Sequence, residues 1–395
     1  MMQDNSVTSP GTGLVWRRFS GPAAVEIFSV FGPDPGTPAD IALQTAALYR
    51  QLESLLRQEK GSLESIVQET AYFRNIRRDF GSFQDARLKA FGAPAGRPPK
   101  LPALTIIEQP PLDPQAGLVV STVAVIPRDG SLPDCDRNSP AWSRSLLLGG
   151  YRHLYAGSLY GDPGKAFEQT LSMFCRADGV LAQQGMSFHD VVRTWIHLRH
   201  MERDYAEFNR GRREFFRRRE ITLLPASTGI CGSPLPEESD FALSFWAIRA
   251  PDRLATSPMT TPTLNEASTY GADFSRGLRV VEANKIALYV SGTASVDESG
   301  RTAHVNDFAG QVGRMLLNVQ TLLSEQQASF RDVLSAVTYL RTPDDAPLLR
   351  RMLRDRGLDG LPNALVQATV CRRDLLCEME AVAALPLPAP RRATD

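Results

Sequence analysis

A threefold internal repeat constrains the fold of this chain of 395 residues more than any other feature. In the last third, the residue pattern predicts a strand at 286–296, a helix at 305–325 and a second strand at 330–340. A second helix is predicted at 346–356 and a closing hairpin over 361–383. Strand, helix, strand, helix and two closing strands in this order predict an α+β domain.

The first and middle thirds repeat the same order of elements. In the first third, they are predicted at 25–31, 41–58, 63–74, 83–91, 101–104 and 117–126. In the middle third, they are predicted at 153–158, 165–184, 188–198, 205–218, 223–229 and 241–248. We therefore expect three tandem domains, called domains 1, 2 and 3, at 1–130, 140–252 and 264–388, with Pro/Ser/Asp-rich linkers at 127–142 and 250–264.

Composition limits the partners of the chain. The 44 Lys and Arg residues balance 44 Asp and Glu residues, so we expect neither nucleic acid nor a membrane as a partner. No apolar run is long enough to span a bilayer, and no secretory signal pattern is present. Five cysteines without a CxxC pair favour a reduced, cytoplasmic protein. No Gly-rich phosphate loop, HExxH motif or Cys/His cluster occurs, so we expect no cofactor and no metal.

The last predicted strand contains an acidic residue among apolar ones. Because side chains alternate along a strand, Glu378 and Glu380 are expected to share one face with Leu376 and Val382. A carboxylate in such a strand costs free energy unless it is ion-paired or stays protonated. The alternative is that these side chains lie on the exposed face of an edge strand.

The repeat favours a functional role for Glu378. The corresponding strands of the other two domains, at 119–123 and 243–247, contain no acidic residue. A purely structural need for an acid would be expected in all three copies. We therefore expect the chemistry of this protein in domain 3.

The repeated unit resembles the domain of the RidA (YjgF) family. Residues 376–381, with the sequence LCEMEA, are similar to the Val-Glu-Ile-Glu-Ala segment that ends the RidA domain. RidA proteins are homotrimers with active sites between subunits. The resemblance thus implies an internal pseudo-trimer with ligand clefts between unlike domains, either as a monomer or in a small homo-oligomer.

One departure from the RidA pattern bears on function. RidA deaminases hold the substrate carboxylate with an arginine in a Pro-Ala-Arg-Ser segment. Here the corresponding positions are Asn363 in domain 3 and Ser227 in domain 2, and domain 1 has only LPAL at 101–104. This loss argues against an enamine/imine deaminase. That activity and a non-catalytic small-molecule-binding protein remain the alternatives.

The last two-thirds of the chain also resemble the chorismatases of the FkbO/Hyg5 type. The similar segments are PASTGI at 225–230, TYG at 269–271, FSR at 274–276, VSGTA at 290–294 and NDFAGQ at 306–311. Chorismatases cleave the enolpyruvyl ether of chorismate and release pyruvate. The resemblance implies this activity on chorismate or a close dicarboxylate analogue, without a cofactor.

The same resemblance implies roles for particular residues. An enol ether reacts once its methylene carbon is protonated, so a carboxylic acid must stay protonated near neutral pH. Glu378 occupies the position of this acid. Two substrate carboxylates need fixed donors, which arginine provides in a bidentate geometry. The implied substrate-binding residues are Arg351, as the main carboxylate anchor, with Arg276, Tyr270, Arg210 and Arg213.

Two further residues bear on the product. Enzymes of this family that form 3-hydroxybenzoate pair a glycine in the Ser-Gly-Thr-Ala turn with a cysteine seven residues before the acid. The others form a dihydroxy-cyclohexadiene carboxylate. Gly292 and Cys371 match the first group and favour 3-hydroxybenzoate. Their structural alternatives are turn geometry for Gly292 and small-residue packing for Cys371.

Overall fold

The computed structural model describes residues 6–8, 13–33, 39–92, 100–131, 142–265 and 273–388, and at 6–8 the backbone alone. Within these ranges the chain forms a six-stranded, a five-stranded and a second six-stranded sheet. Each sheet packs against its own pair of helices. The α+β class and the three tandem units expected from the repeat are confirmed.

The domain 1 sheet has the strand order β1-β2-β3-β6-β4-β5. Its β4–β5 pair is parallel, and its other strand pairs are antiparallel. Asp40 caps the first helix by accepting a hydrogen bond from the Leu43 amide. The elements are β1 Ser6–Thr8, β2 Leu14–Ser20, β3 Ala24–Phe31, α1 Ile41–Gln58, β4 Ile66–Phe73, α2 Ile76–Phe91, β5 Ala103–Glu108 and β6 Leu118–Pro127.

Domains 2 and 3 repeat this topology, with the orders β7-β8-β11-β9-β10 and β12-β13-β14-β17-β15-β16. Domain 2 consists of β7 Trp142–Leu148, β8 Tyr151–Tyr160, α3 Ala166–Gln183, β9 Val191–Leu198, α4 Met201–Arg218, β10 Ala226–Cys231 and β11 Phe241–Arg249. Domain 3 consists of β12 Ala255–Pro258, β13 Gly277–Val281, β14 Ile286–Ala294, α5 Phe308–Ser324, β15 Val333–Leu340, α6 Ala346–Arg354, β16 Asn363–Gln367 and β17 Cys377–Leu385.

The three sheets meet in a central apolar cluster that contains buried residues of all three domains. Strand register shows that equivalent positions meet there, since Val123, Trp246 and Val382 each occupy the same place in the last strand of their domain. The Trp246 ring packs edge-on against Tyr289 of domain 3 at 5.8 Å between centroids. This arrangement is the internal pseudo-trimer that the resemblance to the RidA domain implied.

The predicted closing hairpin at 361–383 is wrong. Strand β16 pairs in parallel with β15, whereas β17 lies between β14 and β15 and pairs with both. Strands β16 and β17 are therefore not neighbours, and β17 is a central strand rather than an edge strand. Local sequence specifies that both segments are extended, but the choice of partner depends on distant residues.

The sequence pattern also missed several elements. Each domain has an additional strand, β2, β7 or β13, which pairs with the first predicted strand. The predicted linker at 250–264 contains β12. Helix α2 begins at Ile76 after an Asn75 cap, not at 83, and helix α4 begins at Met201, not at 205. The early turns of both helices are rich in charged residues, which weakens the apolar period on which the prediction relied.

Candidate active site

Glu378 lies at the boundary between domains 2 and 3. It is the second residue of β17, and its cross-strand neighbours are Ala294 on β14 and Tyr339 on β15. Its side chain is buried, with 5% of the residue exposed. A Cβ atom added to Gly292 would lie 2.2 Å from Glu378 Oε1 and 3.1 Å from the Thr228 methyl group of domain 2. The Glu378 carboxyl group therefore occupies the space that a side chain at position 292 would need.

Glu380, on the same face of β17, forms an ion pair between the two domains. Arg193 of β9 donates from Nη2 to Glu380 Oε2 at 2.8 Å, and Trp195 donates from Nε1 to Glu380 Oε1 at 2.6 Å. Arg193 Nη2 also donates to Thr228 Oγ1 at 2.6 Å, and that hydroxyl accepts the Gly292 amide at 3.0 Å. This buried network fixes the backbone of β14 and the carboxylate of Glu380 relative to domain 2.

The environment keeps Glu378 protonated near neutral pH. Burial, followed by the nearby charge of Glu380, raises the pKa of Glu378 to about 8, although the charges of Arg193 and Arg276 oppose the shift. The two carboxyl groups on this strand face thus have different surroundings. Glu380 forms an ion pair with a guanidinium, whereas the pKa of Glu378 is raised. Such a pair is the arrangement in which one carboxyl serves as a general acid.

Cys371 lies against the same site from the loop that precedes β17. Its side chain packs between the apolar cores of domains 2 and 3. Burial, and then the nearby Glu378 carboxyl, raises the pKa of the thiol to about 12, while a hydrogen bond with Tyr205 acts in the opposite direction. The group is therefore a neutral thiol at physiological pH and presents a weakly polar wall rather than a nucleophile.

Two buried arginines flank the ring of Phe274 at this boundary. The Arg276 guanidinium lies 5.7 Å from the ring centroid, and the Arg212 guanidinium of α4 lies 5.9 Å from it. Both residues are buried, with 5% and 3% exposed. Arg276 donates from Nε to the Asn265 carbonyl oxygen at 2.8 Å. Domains 2 and 3 each thus contribute one cation to the same aromatic ring.

The remaining predicted residues lie in different surroundings. Arg210 is exposed, pairs with Glu207 at 2.6 Å and covers the ring of Phe167 at 4.1 Å. Arg213 reaches domain 3 and forms an ion pair with Asp273 at 3.2 Å. Arg351 is exposed on α6, and its guanidinium forms no hydrogen bond or ion pair with another residue of the described ranges. Tyr270 lies outside the described residues.

The structure therefore brings Glu378, Gly292, Cys371 and Arg276 together, and it adds residues that sequence reasoning missed. Arg193, Trp195 and Thr228 were missed because they act through contacts with a distant strand. Arg212 was passed over in favour of its neighbours Arg210 and Arg213. A signal did exist, since Arg212 follows Phe208 by one helical turn and lies on the buried face of α4.

Gly292 was predicted to lie in a turn, and this is wrong. It lies inside β14, where the register with β17 shifts between Val290 and Thr293. Such a bulge bends the strand and changes the direction of its side chains. The glycine matters here because of the carboxyl oxygen beside it, not because of turn geometry.

Strand register identifies the counterparts of the two acids in the other domains. Val119 in β6 and Ala242 in β11 occupy the position of Glu378. Ser121 and Ser244 occupy the position of Glu380. The acidic pair belongs to domain 3 alone, as the sequence comparison of the repeats indicated.

Comparisons with known proteins agree with this architecture. The Endoribonuclease L-PSP family model matches residues 271–385. A 3-hydroxybenzoate synthase from Streptomyces hygroscopicus is 28% identical over 245 residues, which cover 55% of this chain and 70% of that protein. The 3-aminoacrylate deaminase RutC from Acinetobacter baylyi is 30% identical over 97 residues, which cover 24% of this chain and 77% of that protein.

A crystal structure of a chorismatase has the same fold over most of the chain. The match has a TM-score of 0.60 at 19% identity and covers 81% of this chain and 93% of that chain. The identity to the RutC deaminase over most of that protein shows that the chain belongs to the family of RidA-like proteins. Its overall fold is that of the chorismatase structure.

Among the helices in the described parts of the chain, none is long and apolar enough to cross a membrane. The same residues contain no group of three or more His, Cys, Asp and Glu side chains placed to hold a metal ion.

Proposed function

We propose that this protein cleaves the enolpyruvyl ether of chorismate and releases pyruvate, with Glu378 as the general acid. The observation that carries the proposal is a buried carboxyl group, at a boundary between domains, whose pKa is raised to about 8. A glutamic acid with the ordinary pKa of about 4.3 would be almost fully ionised at neutral pH and could not protonate an enol ether.

In the proposed reaction, the methylene carbon of the enolpyruvyl group takes the proton of Glu378. The π electrons form the new C–H bond and leave an oxocarbenium-like centre on the adjacent carbon. In the water-free branch, the ring C4 hydroxyl oxygen displaces pyruvate at C3 and forms an arene oxide, and the hydroxyl proton restores the acid. Opening of the C4–O bond with loss of the C3 proton to the oxygen then gives 3-hydroxybenzoate. In the hydrolytic branch, water adds to the oxocarbenium carbon, and collapse of the resulting hemiketal releases pyruvate and the dihydroxy-cyclohexadiene carboxylate.

We propose that Arg276 and Arg212 hold the carboxylates of such a substrate. Both guanidinium groups lie at the boundary that contains Glu378. The positive charge of Arg276 is close enough to lower the pKa of the Glu378 carboxyl group. A substrate carboxylate beside a buried guanidinium gains a charge-assisted hydrogen bond. Arg351, Arg210, Arg213 and Tyr270 remain sequence-based candidates for the same task.

Gly292 and Cys371 favour 3-hydroxybenzoate as the product. The glycine leaves room beside the Glu378 carboxyl, and the neutral thiol of Cys371 offers a weak hydrogen-bonding surface to water. The relative from Streptomyces hygroscopicus is named as a 3-hydroxybenzoate synthase. We therefore propose the water-free branch of the reaction for this protein.

The deaminase alternative receives less support. Register places Leu104, Ser227 and Asn363 at equivalent positions of the three domains, where RidA deaminases have a carboxylate-binding arginine. None of the three is cationic. The 30% identical deaminase shares the domain with this chain over 97 residues.

The test measures pyruvate release from chorismate, with the ring product identified by mass spectrometry. We expect pyruvate from the native protein and a loss of roughly 10²–10⁴-fold in kcat for Glu378→Gln, since the amide cannot donate the acidic proton. Glu237→Gln, at an exposed surface pair, is the matched control. No pyruvate from the native protein, or full activity of Glu378→Gln, would refute the proposal.

The product assignment has its own test. Gly292→Ala places a methyl group against Glu378 Oε1, and Cys371→Ala removes the thiol beside it. We expect both variants to increase the fraction of dihydroxy-cyclohexadiene carboxylate relative to 3-hydroxybenzoate. An unchanged product ratio in both would contradict a role for these residues in excluding water.

A further inference from the structure

A second cleft lies at the boundary between domains 1 and 3, with a volume of about 340 Å³. This volume is within the range of small-molecule sites in proteins. Its walls come from the β2, β3 and β6 region of domain 1 and from α6 and β16 of domain 3. It contains none of the residues of the Glu378 site.

Register shows that this cleft is the counterpart of the Glu378 site. Val119, which lines it from domain 1, occupies the position of Glu378. Asn363, which lines it from domain 3, occupies the position of Ser227 in domain 2. The two boundaries thus use corresponding strands, but the carboxyl group is absent from the second.

The floor of this second cleft is apolar. Val30, Val119, Leu353 and Leu361 line it, and each is buried, with 3–8% exposed. Such a floor takes up the ring or hydrocarbon part of a ligand through the hydrophobic effect.

The cleft contains a buried hydrogen-bond donor without a partner. Thr338 Oγ1 donates to Asn363 Oδ1 at 3.0 Å, which leaves the amide nitrogen Nδ2 as the free end. This nitrogen is buried and has no partner within the described residues. A buried amide donor without an acceptor is energetically unfavourable, and a ligand oxygen would satisfy it.

Two arginines complete the donor set. Arg350 and Arg354 line the cleft from adjacent turns of α6. Asp113 and Asp359 also line it, yet no ion pair within 4.0 Å joins either acid to either arginine. Asp113 instead accepts the Gln115 amide at 2.9 Å in its own turn. The guanidinium groups are therefore available for an anion.

We propose that this cleft is a non-catalytic binding site for a small aromatic or alicyclic carboxylate. The ring lies on the apolar floor, and the carboxylate accepts hydrogen bonds from Asn363 Nδ2 and from Arg350 or Arg354. With Val119 in place of an acid, the bound molecule is held without protonation. The inference concerns binding alone and stands independently of the reaction at Glu378.

The probe for this site is 4-azidobenzoate, photolysed with the full-length protein and mapped by peptide mass spectrometry. We expect labelled peptides that contain Val119 or Leu361, with labelling suppressed by excess benzoate. A label confined to peptides of the Glu378 site, or insensitive to benzoate, would overturn the proposal.

Variants identify the donors. Arg350→Ala with Arg354→Ala, and separately the isosteric Asn363→Asp, should each weaken labelling at this cleft by at least tenfold. Arg356→Ala removes a charge just beyond the same helix without lining the cleft and should label as the native protein does. Thermal melting verifies that each variant is folded. Native-like labelling of the folded Asn363→Asp protein would contradict the proposed amide contact.

Discussion

The boundary between domains 2 and 3 and the boundary between domains 1 and 2 use the same strands in different ways. At the first, Glu380 forms an ion pair with Arg193 across the boundary. At the second, the counterpart of Glu380 is Ser244, whose hydroxyl is 2.6 Å from that of Thr105. The two small hydroxyl groups form a direct contact across one boundary, whereas the buried acid at the other boundary needs a buried cation.

The bulged strands show the same contrast. Strands β8 and β14 both shift register beside the last strand of their domain. In β8, a Cβ on Gly157 would lie 2.5 Å from the Leu104 carbonyl oxygen, so backbone fills the space. In β14, a Cβ on Gly292 would meet the Glu378 carboxyl instead. The bulge in β8 brings two backbone segments into contact, whereas the bulge in β14 leaves space for the Glu378 carboxyl group.

The largest expected effect comes from breaking the Arg193–Glu380 ion pair at the boundary between domains 2 and 3. Arg193→Met leaves Glu380 buried without its cation, and we expect the free energy of unfolding to fall by about 3–5 kcal/mol. Urea denaturation measures the change. Arg217→Met, at a pair in which the arginine side chain is 71% exposed, should cost less than about 1 kcal/mol. Equal effects of the two substitutions would remove the contrast between buried and surface pairs.

A second prediction concerns pH. Because the pKa of Glu378 is about 8 in the folded protein and near 4.5 in the unfolded chain, the folded state holds an extra proton between these values. The stability from this group is present at low pH and is lost as pH rises toward 8. The unfolding free energy of Glu378→Gln minus that of the native protein should rise by about 3 kcal/mol between pH 5 and pH 8. A difference independent of pH would show that Glu378 titrates normally.

The smallest expected effect concerns the boundary between domains 1 and 2. Gly157→Ala forces a methyl group against the Leu104 backbone and should destabilise the protein by about 1–3 kcal/mol. Gly229→Ala, in β10 with no atom within 4 Å of the added Cβ, is the matched control and should change stability by less than about 0.5 kcal/mol. Denaturant titration of both variants decides whether close backbone contact seals this boundary.

The sequence predicted the repeat and most of its elements because periodicity and capping are local properties. Helix α1 has the predicted bounds, since an apolar stripe coincides with the Asp40 cap. The central place of β17 was not predictable in this way, because strand pairing depends on residues far apart in the chain.

The candidate site shows the same division. Glu378 was found because one repeat could be compared with the other two. Arg193 and Trp195 were not, since only the tertiary structure brings β9 against β17. Arg212 required the orientation of α4 relative to Phe274, which a helical pattern alone does not give.

The covalent linkage of the three domains has a consequence for how such a site can arise. In a trimer of identical subunits, every substitution appears in all three clefts at once. A buried carboxyl with a raised pKa would then be introduced three times, and its desolvation cost of several kcal/mol would be tripled. In this single polypeptide, Glu378, Val119 and Ala242 could diverge separately, so the fold carries the energetic burden of one acid and keeps two boundaries free to change for other purposes.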